Sequence, residues 1–241
     1  MSGVTQDRFL DGRVMVRQPE NGFRAGLDAV MLAAAVPARP SDDVLELGAG
    51  AGTASLCLAA RVGGCTITGV ELDPVLVELA NANASSNGLT ARTRFVAADA
   101  FDLPADLRRS FHHVFCNPPF HGEDGEVSPD AGRALALQDG GRLADWLDAG
   151  MKRTASNGTF TAILRADRLG EALGALPEKG VAMLPLWPKA SEPAKRVIVA
   201  IRKGSRAGSR LFPGLVLHES NGRYTEAADA ILRGGKAFDL G

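Results

Sequence analysis

The residues with the plainest chemical purpose are Asn117, Pro118, Pro119 and Phe120, which follow the apolar run Val114-Phe115-Cys116. Two consecutive prolines fix φ and stiffen the chain, so the Asn117 side-chain oxygen and the Pro118 carbonyl can be held as two fixed acceptors. Such a pair matches the two hydrogens of a planar, conjugated NH2. That nitrogen is a poor nucleophile because its lone pair is delocalised, and accepting both hydrogens turns the lone pair toward an electrophile. Phe120 offers a ring for the planar target to stack on, a contact worth roughly 1 to 3 kcal/mol per base. No strong base is required, because the departing proton becomes acidic only as the new bond forms, so the catalysis is mostly orientation. Asn and Pro are also ordinary turn residues, so the weight of this reading comes from what precedes them.

A buried run, Val44-Leu45-Glu46-Leu47, leads at once into Gly48-Ala49-Gly50-Ala51-Gly52 and then a helical pattern from Thr53. Glycines at this spacing bring bare backbone N–H groups against a ligand, because no Cβ stands in the way and positive φ is free. The dinucleotide fingerprint would need glycine at position 53, where this chain has Thr53. The next strand ends in Val70-Glu71-Leu72-Asp73, which sets a carboxylate where it can accept from both ribose hydroxyls. The third ends in Ala97-Ala98-Asp99-Ala100-Phe101, where Asp99 can accept from an adenine amine while a neighbour packs on the ring. Taken singly, each has a plain structural alternative: a tight connection, a solvated loop charge for Glu71, a helix cap for Asp99. Three strand ends in register, each offering one group that an adenosyl ligand needs, point to a ligand at the carboxyl edge of a sheet.

The elements that must carry these groups alternate in type from about Asp43 to Val199, the signature of a parallel sheet with crossover helices. Seven strands are expected: Asp43 to Leu47, Thr66 to Val70, Thr93 to Ala97, His112 to Cys116, Thr159 to Leu164, Ala182 to Leu186 and Lys195 to Ile201. Helices are expected at Gly26 to Val36, Thr53 to Val62, Pro74 to Ser86, Leu143 to Arg153, Arg168 to Leu176 and Thr225 to Leu232. Pro74 suits a first helical turn and Asn87-Gly88 a C-terminal stop. The Gly- and acid-rich stretch His121 to Gly141 reads as a long loop.

With 241 residues, 45% of them hydrophobic, the chain has material for one sizeable α/β core. It is expected to form a single domain: an extension or hairpin over 1–24, a core over 25–203, and a strand and helix over 204–241. A net charge of -1 argues against a protein that coats nucleic acid non-specifically. Cys57, Cys65 and Cys116 show neither a disulfide nor a zinc pattern, so no metal is expected. The polar start and the shortness of the longest apolar stretch, Ala29 to Val36, point to a cytoplasmic protein without a membrane anchor.

The pattern E-x-G-x-G-x-G at Glu46 to Gly52 resembles motif I of the class I methyltransferases, and Asn117-Pro118-Pro119-Phe120 resembles the N-P-P-[FY] signature of their amino-methyltransferase branch. Two further stretches are similar to the bacterial tRNA (adenine-N6)-methyltransferases that modify an adenine beside the anticodon of a valine tRNA. These are Phe9-Leu10-Asp11-Gly12-Arg13 through Gln18-Pro19 to Gly22-Phe23-Arg24-Ala25-Gly26-Leu27-Asp28-Ala29-Val30-Met31-Leu32-Ala33, and Gly222-Arg223-Tyr224-Thr225-Glu226. The resemblance covers nearly the whole chain. It implies an α/β, Rossmann-like fold with a seven-stranded, mostly parallel sheet and helices on both faces.

It also implies S-adenosyl-L-methionine as cofactor, with Arg24 and Asp28 helping to close its pocket. The cofactor set is then Arg24, Asp28, Glu46, Gly48, Gly50, Gly52, Glu71, Leu72, Asp99, Ala100 and Asn117. Asn117, Pro118 and Phe120 are the expected catalytic residues, and Pro119, Phe120, His121, Lys195 and Arg196 the expected substrate contacts. The target is expected to be adenine N6 in a tRNA. Phe120-His121 after the prolines also resembles the guanine-N2 ribosomal RNA methyltransferases, so guanine N2 is an alternative acceptor, as is a protein glutamine amide; a non-catalytic RNA-binding factor is the rival from another class. Lys189, Lys195, Arg196, Arg202, Lys203, Arg206 and Arg210 are candidate phosphate contacts. His121 reads as a loop residue rather than a base.

Overall fold

A computed structural model of the chain describes residues 3–119 and 143–240. It opens with a hairpin, β1 (Val4–Phe9) paired antiparallel with β2 (Val14–Pro19), whose turn uses positive φ at Leu10, Asp11 and Gly12. The remaining strands are β3 (Asp43–Leu47), β4 (Thr66–Glu71), β5 (Thr93–Ala97), β6 (Phe111–Cys116), β7 (Thr154–Arg165), β8 (Val181–Trp187), β9 (Arg196–Arg202), β10 (Arg210–Leu211) and β11 (Leu215–Val216). These nine make one sheet in the order β10-β8-β9-β7-β6-β3-β4-β5, with β11 also on β8. All seven expected strands are present; two short strands extend the sheet beyond them. β9 alone runs antiparallel to its neighbours. β7 starts earlier than expected, at Thr154, and its pairing with β6 shifts register between Phe111 and His113.

The helices are α1 (Leu27–Ala35), α2 (Thr53–Arg61), α3 (Pro74–Ser86), α4 (Leu143–Arg153), α5 (Leu169–Ala175) and α6 (Glu226–Leu232). α3 has the start its sequence demands: the Asp73 carboxylate accepts from Val75 N–H at 2.8 Å and Pro74 occupies the first turn. Its end is set by Gly88 at φ 68°.

Alternating side chains along each strand feed two cores. Val44, Ile67, Phe115, Ile163 and Ile198 pack on the face that carries α1, α2, α3 and α6. Leu45, Leu47, Val70, Val114, Cys116 and Ala162 pack on the other, under α4 and α5. Register places Leu47 opposite both Val70 and Cys116, and Glu71 opposite Ala97, so the carboxyl ends of β3, β4, β5 and β6 stand side by side. The order reverses at β3, which makes its carboxyl end the switch point where open α/β sheets bind ligands.

Candidate active site

The glycine turn leaves β3 and folds over the end of β4: Gly48 and Ala49 N–H both donate to the Val70 carbonyl at 2.9 Å. Gly50 stands at the crest with φ 54°, and a Cβ built there would meet nothing within 4 Å. Its N–H donates to the Glu71 carboxylate at 2.8 Å, whose other oxygen accepts from Asp73 N–H at 3.1 Å. The expected ribose acid therefore sits against the expected glycine turn, beside open space. Gly52 has a different job. It caps α2 with φ 84°, and a Cβ there would lie 2.6 Å from the Phe95 ring that supports the turn from β5.

Glu46 does not face this space. It is buried, pointing to the α2 side, where its carboxylate accepts from Ser55 N–H at 3.2 Å and from the Ser55 hydroxyl. Burial pushes its pKa up to about 8, against the pull of the Ser55 hydrogen bonds. Its position between Leu45 and Leu47, both in the opposite core, dictates this orientation. Glu46 thus holds the first turn of α2 in place beneath the glycines.

At the end of β5, Asp99 is exposed and accepts from Phe101 N–H at 2.8 Å, and Ala100 follows it. Leu72 is 48% exposed beside Glu71, an apolar side chain left bare at the ledge. Sequence reasoning missed Trp146. This α4 residue meets Phe101 edge-on, with ring centroids 5.2 Å apart, and its ring lies where a Cβ on Gly48 would be 2.9 Å away. Its indole N–H is buried without a partner among the described residues. A Trp on the apolar face of a helix reads as core, and nothing in the local pattern marks it as a wall of the site.

Asn117 follows β6 directly, next to the switch point. Its side-chain oxygen is buried and has no hydrogen-bond partner among the described residues. Pro118 is buried and Pro119 half-buried. An unpaired buried amide oxygen costs about 1–3 kcal/mol. Phe120 and His121, with the rest of the expected loop to Gly141, lie outside the described residues.

The remaining expectations are redistributed. Arg24 pairs with Asp7 of the hairpin at 2.7 Å, and Asp28, at the start of α1, pairs with Arg196 of β9 at 2.8 Å. Arg196 lies opposite Arg165 at the end of β7, on the carboxyl edge, with Lys195 next to it. The late basic stretch does not form one face. Lys189 follows β8 at the carboxyl edge, whereas Arg202 lies opposite Thr159 and Arg210 opposite Ala182, at the amino edge. Lys203 closes the end of α4, donating to the Met151 and Thr154 carbonyls at 2.7 Å.

The residues present suit S-adenosylmethionine: an uncrowded glycine crest, an acid touching it, a bare apolar side chain at the adjoining strand end, and an unpartnered amide oxygen nearby. Comparison with known proteins agrees. A family model described as a methyltransferase domain matches residues 44–136. The tRNA1(Val) (adenine(37)-N6)-methyltransferase of Shewanella amazonensis is 30% identical over 217 residues, covering 88% of this chain and 91% of that protein. The protein of the same name from Dickeya chrysanthemi is 28% identical, covering 88% of this chain and 87% of its own. A solved structure described as a predicted O-methyltransferase of Agrobacterium tumefaciens is 26% identical, with a TM-score of 0.73 over 88% of this chain and 98% of that one. The chain is an S-adenosylmethionine-dependent methyltransferase, and it belongs to the family of the tRNA1(Val) (adenine(37)-N6)-methyltransferases.

Proposed function

We propose that this chain, acting as one methyltransferase domain over 1–241, methylates the N6 amine of an adenine in tRNA. The observation that carries the reading is the buried, unpartnered side-chain oxygen of Asn117 at the end of β6. It lies one strand from the glycine turn, since β6 pairs with β3.

S-adenosylmethionine supplies, when bound, a methyl group made electrophilic by its attachment to a sulfonium. The Gly50 and Gly48 turn holds its amino-acid half, Glu71 its ribose hydroxyls, and Leu72, Asp99 and Ala100 its adenine. Asn117 accepts one hydrogen of the target amine and the Pro118 carbonyl accepts the other. Both acceptors are held by the rigid proline backbone, so the amine's lone pair is directed toward the methyl group rather than left delocalised into the ring. Pro119 and Phe120 flank the flipped base. Extracting that base from its stack costs a few kcal/mol, which favours single-stranded or loop positions.

Trp146 and Phe101 meet edge-on beside the glycine turn and offer it an apolar neighbour. The names of the relatives support tRNA as the substrate class. A tRNA substrate puts the activity in the cytoplasm, and among the described residues no helix is long and apolar enough to cross a membrane. Transfer of labelled methyl groups to tRNA, ribosomal RNA and total protein tests the reading. Label is expected in tRNA, released by nuclease digestion as N6-methyladenosine; label confined to ribosomal RNA or protein overturns it.

A further inference from the structure

α3 and its C-cap carry three asparagines that serve backbone groups elsewhere. Asn81 pairs with both the N–H and the carbonyl of Phe95, on β5 at the edge of the sheet, at 3.0 and 2.9 Å. Asn87 accepts from Met15 N–H at 2.9 Å and donates to the Met15 carbonyl at 2.7 Å. Asn83, one turn earlier, does the same for Arg17, accepting from its N–H and donating to its carbonyl, both at 2.9 Å. Each asparagine thus replaces the strand that an edge lacks, and the hairpin is zipped to α3 through β2.

Asn83 differs from Asn87 in one respect. Its second amide hydrogen goes to the carbonyl of Ala51, in the middle of the glycine turn, at 3.0 Å. The peptide joining Ala51 to Gly52 is therefore held at both ends, because Gly52 N–H donates to the Ala49 carbonyl at 2.9 Å. Asn83 is fully buried, and both of its amide hydrogens and one lone pair of its oxygen are engaged. If the hairpin leaves, the Asn83 oxygen and one N–H lose their partners, and the amide is free to turn away from Ala51. A buried hydrogen-bond network of this kind is cooperative.

We propose that Asn83 is a positioning residue for the methyl donor: it links the docking of the N-terminal hairpin to the shape of the glycine turn, so each stabilises the other. The proposal rests on the donor binding at that turn. Because the coupling is thermodynamic, it is reciprocal. Donor binding should protect β2 from solvent exchange, and a docked hairpin should tighten donor binding.

Two measurements on the full chain test it: calorimetric titration with S-adenosylmethionine, and hydrogen exchange of residues 14–18 with and without it. In the wild type, saturating donor is expected to slow exchange in β2. Asn83→Ala is expected to weaken donor binding by roughly tenfold, the effect of losing one hydrogen bond to a buried carbonyl, to leave kcat at saturating donor little changed, and to abolish the donor-dependent protection. Asn87→Ala is expected to speed exchange in β2 while donor affinity falls far less and the donor-dependent protection persists. If Asn83→Ala does not fold, Asn83→Asp keeps the shape and the acceptor for Arg17 N–H but loses both donors, to the Arg17 and Ala51 carbonyls, and it is expected to show the same loss of affinity. Wild-type protection that ignores the donor, or an Asn83 variant with unchanged donor affinity, overturns the coupling. Failure of Gly50→Val to weaken the donor would instead show that the donor lies elsewhere, which removes the proposal's premise.

Discussion

The Asp28 carboxylate and the Arg196 guanidinium meet at 2.8 Å on the carboxyl ledge, joining the start of α1 to the first residue of β9 across 168 positions of sequence. Each residue has a reading of its own as a ligand contact, Asp28 toward the cofactor and Arg196 toward substrate. In the structure they are each other's partner, and together they pin α1 to the far side of the sheet.

Their partial exposure, 20% and 32%, limits what the pair contributes to about 0.2–1 kcal/mol. Asp28→Asn and Arg196→Ala are each expected to lower Tm by no more than about 2–4 °C. The double variant should be no less stable than the worse single one, the mark of a coupled pair. Strictly additive losses in thermal unfolding would mean that the two residues act on different partners.

Gly50 and Gly52 should fail differently when given a methyl group. At Gly52 the new Cβ would press on Phe95 at 2.6 Å and occupy positive φ, so Gly52→Ala should cost about 1–3 kcal/mol of stability. At Gly50 the Cβ enters open space, so Gly50→Ala should cost about 1 kcal/mol, from backbone strain alone. Donor affinity should nevertheless fall in Gly50→Ala by more than its stability loss predicts. Parallel calorimetry and denaturant unfolding check this, and equal behaviour of the two variants would contradict it.

Glu46 makes stability depend on pH. Its folded pKa, about 8, lies above the ordinary carboxylate value because burial disfavours the charge. Between roughly pH 4.5 and 8 the folded state therefore binds more protons than the unfolded one, and stability contributed by this group falls as pH rises through that window. Above it the loss levels off. Glu46→Gln keeps an acceptor for Ser55 without the charge, so its Tm should gain on the wild type as pH is raised from 5 to 8. A constant difference across that range would contradict the assignment.

Much of this was legible in the sequence because the informative signals are local. Short β-rich runs broken by glycine announce the strands, and Gly48 to Gly52 sits where a strand becomes a helix. Asn117 stands out because two prolines follow it, and its side-chain oxygen is buried without a partner among the described residues. Less legible were groups whose role depends on partners far away in the chain. Asn81 and Asn83 lie within a helical pattern and Asn87 at its stop, yet each serves a backbone brought near only by folding. Lys203 looks like part of a basic stretch and is a cap for α4. β10 and β11 have two residues each, too few to show any period. Glu46 matched a motif by position, while strand alternation turned its carboxylate toward Ser55.

The central claim is that Asn117 grips the amine and not the donor alone. Asn117→Ala, assayed with S-adenosylmethionine in a titration and with tRNA in a methyl-transfer assay, tests it most directly. Donor affinity should stay within about threefold while transfer at saturating substrates falls by about a hundredfold or more, the pattern for an interaction made in the transition state. Transfer that survives the substitution, or donor binding that is lost together with it, would contradict the account.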